Sequence, residues 1–168
     1  MATHINWAEK KVANQTLGAI YQQTSLDKQS DIPLIIRLLE NPSSPIALPG
    51  KISLHNHDCL HIILGIGVSP QEEAFIIGFT MGNDDAIKQW HIKIFKFFSR
   101  FIYPAKYQFS AKDIDIFDRG FKYGKELKFR NINRLDFAWL YNLKVQNIRD
   151  YFSINSFDCA RAIGEIEQ

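Results

Sequence analysis

A chain of 168 residues and 19.4 kDa is one ordinary domain, able to bury about 70% of the surface that its unfolded form exposes. A single domain over 1–168 is expected. Its 46% hydrophobic and 23% charged content excludes the disordered, collagenous and disulfide-framework classes. A formal charge of +2 excludes a protein that binds nucleic acid by neutralising phosphates over its whole surface.

The compositional excess is aromatic. Thirteen Phe, six Tyr and three Trp require an interior of large flat side chains, packed on one another or enclosing an apolar ligand. Cys59 and Cys159 lie outside any Cys-x-x-Cys pair, which points to a reducing compartment. The apolar runs fall short of the roughly 18 residues that span a bilayer. The N-terminus, with His4, Glu9, Lys10 and Lys11, lacks an apolar signal segment. A cytoplasmic protein is expected, with attachment to the inner face of a membrane left open.

Taken in chain order, Ile5 to Tyr21 carries helical apolar spacing and predicts one helix. Asp31 and Pro33 open a short helix over Ile32 to Glu40. Three of the six prolines fall between Asn41 and Gly50 and make that segment a loop. Leu54 to Leu64 predicts a helix that exits through Gly65 and Gly67. Ser69-Pro70-Gln71-Glu72 has the form of a capping box that opens a second helix to about Met81, and the short break predicts an antiparallel hairpin. Asp84 and Asp85 precede an amphipathic helix from Ala86 to about Ile102, with Ile87, Trp90, Ile94, Phe97, Phe98 and Phe101 on one stripe. Asp113 to Leu127 and Asn133 to Tyr151 predict two more. The fold class is therefore all-α, a compact bundle of about six or seven helices with little or no sheet.

The strongest chemical signal is His55, His57, Asp58 and His61 within seven residues. His57 and His61, four apart, present both imidazoles to one side of a helix, which suits a divalent metal. Asp58, about 100° around from His57, borders the same face. In the predicted hairpin Glu73 stands at the height of His61, while Glu72 is occupied by the cap. His57, Asp58, His61 and Glu73 would offer two nitrogens and two oxygens, a set for Zn²⁺ and also for Mn²⁺ or Fe²⁺. His55 is read as a surface residue and Cys59 as a small buried hydrophobe. The bland alternative for a histidine pair, a surface feature or a hydrogen-bonded core pair, is outweighed by the acids beside it.

His57-Asp58-x-x-His61, eleven residues and then Glu73, with Leu64-Gly65 after the second His, resembles the signature of the ubiquinone (coenzyme Q) biosynthesis protein Coq-four family. The Pro42 to Gly50 loop, and the downstream order of Gly120, Gly124, Leu127, Asp136, Trp139, Leu143, Arg149 and Ile154, extend the resemblance over most of the chain. It implies an all-helical fold, a divalent metal on His57, Asp58, His61 and Glu73, and a hydrophobic cavity for a polyprenyl chain. It also implies a role in quinone biosynthesis, as an organiser of the biosynthetic enzymes and in oxidative C1 decarboxylation of a prenylated hydroxybenzoate. Cys59 and Leu60 stand where the family commonly has a bulky aromatic, and the first residues do not have the Arg-rich, Ser-rich, acid-poor composition of a mitochondrial presequence, so a bacterial-type member is expected. A homodimer is the assembly carried with this reading.

Two basic stretches remain. Lys88, Lys93, Lys96, Arg100 and Lys106, interleaved with aromatics and without an acid, read either as an interfacial membrane helix or as a core helix with a solvated face, and the helical spacing favours the core. Lys122 and Lys125 are the candidates to hold an anionic substrate, against a plain solvated surface. Three functions compete: the metal-dependent enzyme, a prenyl-lipid-binding scaffold without turnover, and an HD-type metal phosphohydrolase built on His57-Asp58. Glu73 at its fixed spacing separates the first from the last.

Overall fold

The computed structural model describes residues 10–24, 43–44 and 47–164. Within them one helical turn, α1 (Lys10–Ala13), precedes seven longer helices: α2 (Leu17–Gln23), α3 (Leu54–Leu64), α4 (Pro70–Asn83), α5 (Gln89–Phe97), α6 (Ala111–Glu126), α7 (Val145–Phe152) and α8 (Ser156–Ile163). The only extended pairing among the described residues is an isolated antiparallel bridge between Thr16 and Lys144. The all-α class holds. The expected helix over Ile32 to Glu40, and part of the proline-rich loop, lie outside the described residues.

The helix starts follow capping chemistry. Ser53, Ser69 and Ser110 each accept a hydrogen bond from an amide in the first turn of α3, α4 and α6, satisfying donors that a helix start leaves orphaned. At Ser69 the box is complete, with the Glu72 carboxylate accepting from the Ser69 amide. α3 stops at Gly65, in the left-handed region at φ 74°, where a Cβ is costly.

Three expectations change. The predicted N-terminal helix is interrupted at residues 14–16, because Thr16 leaves it to bridge Lys144 and to cap α2 through Ala19. The predicted helix from Asn133 to Tyr151 becomes two 3₁₀ turns, Ile132–Arg134 and Phe137–Leu140, and then α7. Asp136, whose carboxylate accepts from the Ala138 amide, breaks it. α8, not anticipated, begins at the Asn155 cap and ends at left-handed Gly164.

The hairpin also changes partners. α4 makes its most extensive packing with α6 rather than with α3. Ideal Cβ atoms on Gly78 and Gly82 would come within 2.1 Å of the Phe117 and Phe121 carbonyl oxygens, and on Gly120 and Gly124 within 2.2 Å of those of Phe75 and Phe79. The two helices thus run in the same direction with their backbones in contact through glycine. The core continues on the other side of α4. Leu60, Ile63 and Leu64 of α3, Ile148 and Phe152 of α7, and Cys159 of α8 are fully buried in one cluster. Arg149, 2% exposed, donates to the carbonyls of Ile62 and Ile63, so a cation closes the carbonyl end of α3.

Candidate metal centre

Five residues join the two helices of the site. Gly65 turns the chain out of α3. Gly67 then places its carbonyl oxygen against the Nδ1 of His61 and its amide against the Glu72 carboxylate. A Cβ on Gly67 would lie 2.6 Å from that carboxylate, so the turn is built around a hydrogen-bonded glycine. Because the Glu72 box sets the first turn of α4, the next residue, Glu73, is aimed back at α3.

Glu73 reaches both imidazoles. Its Oε2 lies 2.9 Å from His57 Nε2 and its Oε1 lies 3.2 Å from His61 Nε2, and the two rings meet edge to face at 5.0 Å. One ligand atom from each of the three residues falls within 4.8 Å of the others. Donor atoms about 2.0 to 2.1 Å from a tetrahedral Zn²⁺ stand about 3.3 Å apart, and the two imidazole–carboxylate distances, 2.9 and 3.2 Å, lie near that value. His61 is 1% exposed, His57 16% and Glu73 34% by side chain. The centre is closed on the α3 side and reachable from solvent at the carboxylate.

The hydrogen bond at Nδ1 decides what His61 offers. A neutral His61 that donates Nδ1–H to the Gly67 carbonyl, 2.5 Å away, turns the bare lone pair of Nε2 toward a carboxylate oxygen. Two lone pairs at 3.2 Å repel unless a proton or a cation lies between them. Orientation of one ring nitrogen by a backbone carbonyl is how metal-ligating histidines are held. Burial by itself would raise the Glu73 carboxyl; with His61 and His57 protonated, their positive charges outweigh it and hold the group below the usual carboxylate range.

Asp58 is not in this group. It is buried beside it, 6% exposed, and its rotation around α3 from His57 keeps its carboxylate out of the close set. Burial pushes its carboxyl up to about 6, with His57 and His61 opposing and Glu73 adding to the rise. His55, expected at the surface, is half-buried instead. Its Nε2 is 2.6 Å from the Tyr141 hydroxyl, its ring stacks on Tyr141, and Tyr21 packs against it. Sequence reasoning missed these two tyrosines, because only tertiary packing brings α2 and the 137–140 turn to α3. Cys59 is fully buried as expected, and burial raises its thiol to about 12.

Lys122 and Lys125 do not converge on the centre. Both are exposed on α6. Lys122 faces Glu126 at 3.9 Å, and Lys125 borders a cavity of about 330 Å³ with Gly82, Asp84, Asp85 and Arg130, at the far end of α4 from Glu73. Nine residues of helix rise, about 14 Å, separate Glu73 from Gly82. A second cavity, about 480 Å³, is lined by Lys51, Ser53, Asn56, Asn133 and Arg134 among others. Neither includes a member of the His57, His61 and Glu73 triad.

Compared with known proteins, the chain matches no family model, no curated protein and no solved structure. What the centre does therefore rests on its own residues. His57, His61 and Glu73 can hold a metal ion.

Proposed function

We propose that the chain is a divalent-metal protein of quinone biosynthesis, with His57, His61 and Glu73 as ligands and Zn²⁺ as the resident ion. The observation that carries the metal is the orientation of His61, whose Nε2 is turned by the Gly67 carbonyl onto the Glu73 carboxylate. The quinone assignment rests on the resemblance of His57-Asp58-x-x-His61 and Glu73 to the Coq-four signature. A bound ion supplies a Lewis acid for a substrate carboxylate or water. The protein's own part is to fix His61 through Gly67, to keep Glu73 anionic, and to leave the carboxylate side open to an aromatic head group. The reaction proposed is oxidative C1 decarboxylation of a prenylated hydroxybenzoate, in which the carboxyl leaves as carbon dioxide, water supplies the hydroxyl that takes its place, and dioxygen accepts the two electrons and two protons to become hydrogen peroxide.

A second reading, a prenyl-lipid-binding scaffold for other quinone-biosynthesis enzymes, is favoured by one observation: Lys122 and Lys125 are too far from the triad to hold the substrate carboxylate there. In that reading the ion only ties α3 to α4. The HD-type phosphohydrolase is less well supported, since it needs Asp58 among the ligands in place of Glu73. Incubating the purified protein with a prenylated hydroxybenzoate under air and measuring released carbon dioxide separates enzyme from scaffold. Turnover that disappears in His61→Ala supports the enzyme, and no product with Zn²⁺, Mn²⁺ or Fe²⁺ supports the scaffold.

Metal content tests the centre itself. His61→Ala and Glu73→Gln are expected to lose nearly all stoichiometric metal, whereas His55→Ala, which touches tyrosines, retains it. Asp58→Asn is expected to keep more metal than Glu73→Gln, because its carboxylate stands outside the triad. Elemental analysis after dialysis reads all four. Loss in Asp58→Asn equal to that in Glu73→Gln would make Asp58 a fourth ligand. Metal retention is also expected to fall as pH falls, since the imidazoles bind metal only when neutral.

A further inference from the structure

We infer that the outer face of α5 and the π-helical turn after it, Phe98–Ile102, docks on an anionic lipid bilayer. The helical spacing of the segment favours an apolar stripe turned to the core; Ile87, Ile94 and Phe98 of that stripe pack partly buried against the core, whereas Trp90, Phe97 and Phe101 do not. The buried positions are His91, Phe95 and Ser99. Trp90, Phe97, Phe101 and Ile102 are 53%, 54%, 61% and 47% exposed. At about 100° per residue, Trp90 and Phe97 fall within about 20° of one another around the α5 axis, and with exposed Phe101 of the π-helical turn they form a single outward ridge. Phe97 and Phe101 pack on each other at 5.7 Å.

Charge selects the occupant. Residues 86–106 hold five basic side chains and no acid, although the whole chain exceeds neutrality by only two. The rest of the protein therefore has an acidic surplus, and the positive charge is concentrated here. Lys96 turns inward to Asp118 at 2.6 Å. Lys88, Lys93, Arg100 and Lys106 stay exposed, and Arg100 lies over the Phe101 ring at 5.7 Å. Lys93 and Arg100 sit on one flank of the ridge, where long cationic side chains reach head-group phosphates while aromatic rings enter the interfacial layer. A protein partner would need a matching acidic apolar groove; a bilayer with anionic head groups supplies both features at once. No helix among the described residues is long and apolar enough to cross a membrane, so the contact is peripheral.

This contact is independent of the metal reading, since α5 contributes no ligand, and the experiment is run in chelator to keep the two separate. The full chain is floated with vesicles of phosphatidylcholine alone or with about 30% phosphatidylserine. Binding is expected on the anionic vesicles, at least about tenfold weaker on the neutral ones, and falling with added salt. Phe97→Ser/Phe101→Ser and Lys93→Glu/Arg100→Glu are each expected to reduce it about tenfold or more, with an unchanged thermal midpoint because all four side chains are exposed. Absence of binding by the natural sequence, or equal binding by it and both variants, overturns the proposal. A concentration-dependent dimer in sedimentation velocity that Phe97→Ser/Phe101→Ser abolishes, without vesicle binding, assigns the ridge to a second copy and overturns it as well.

Discussion

Gly78→Ala/Gly120→Ala is expected to destabilise the protein by about 3 kcal/mol or more, a drop of about 6 to 12 °C in thermal midpoint for a chain of this size. Two effects oppose each other at these positions. Alanine in a helix interior gains about 1 kcal/mol over glycine at each site. Against that, the new Cβ atoms would stand 2.1 and 2.2 Å from the carbonyl oxygens of Phe117 and Phe75, where ordinary contact begins near 3.4 Å. The obstruction is backbone and cannot rotate away. α4 and α6 must therefore separate by about an ångström along their length, which loosens Phe75, Phe79 and Phe117, all fully buried. Glu73 rides on the first turns of α4, so metal affinity is expected to fall with stability. Lys122→Ala, on the exposed face of α6, is the control and should stay within about 0.5 kcal/mol. Differential scanning calorimetry measures both, and a double variant as stable as the natural sequence would show that the helices do not meet as described.

Asp84→Ala is expected to cost about 2 to 4 kcal/mol, measured by urea unfolding. Asp84 is 2% exposed and accepts from the Gly50 and Ala86 amides, the Asn133 amide group and the Arg134 guanidinium. It thereby joins the end of α4 to the loop before α3 and to the 132–134 turn. Removing it strands several donors in the interior, and the cost is mostly their lost partners. Burial alone would raise the Asp84 carboxyl, but the two amides, Asn133 and Arg134 outweigh it and hold the group below its ordinary value. For a depressed carboxylate the sign is fixed: its contribution is complete above the unfolded value of about 3.9 and disappears as pH falls through the folded value. Asp84→Asn should therefore unfold at lower urea near neutral pH and show a shallower loss between about pH 4 and pH 2 than the natural sequence. Parallel acid limbs in the two proteins would remove Asp84 as a contributor to acid unfolding.

The sequence by itself determined the local parts of this protein. Ser53 and Gly65 bound α3, and Ser69 with Glu72 starts α4, because a cap needs only residues three or four apart. His57 and His61 on one face, and Glu73 one step past the cap, follow from the same short-range geometry. That is why three of the four expected ligands meet.

The remainder was decided by contacts between distant segments. Gly78-x-x-x-Gly82 and Gly120-x-x-x-Gly124 are visible in the chain, but nothing local tells one pair that the other faces it, and so the partner of α4 proved to be α6. The aromatic stripe of α5 has the period of a core face. Whether such a stripe turns inward depends on how much apolar surface the neighbouring helices already cover, and here Phe95 and Phe117, stacked at 5.0 Å, fill that side and leave Trp90, Phe97 and Phe101 outside. Asp58 and His55 show the same division on one helix. Their angle around α3 is set by sequence, while the tyrosines that make His55 half-buried, and the reach of Glu73 to His57 and His61 without Asp58, exist only once the helices have packed.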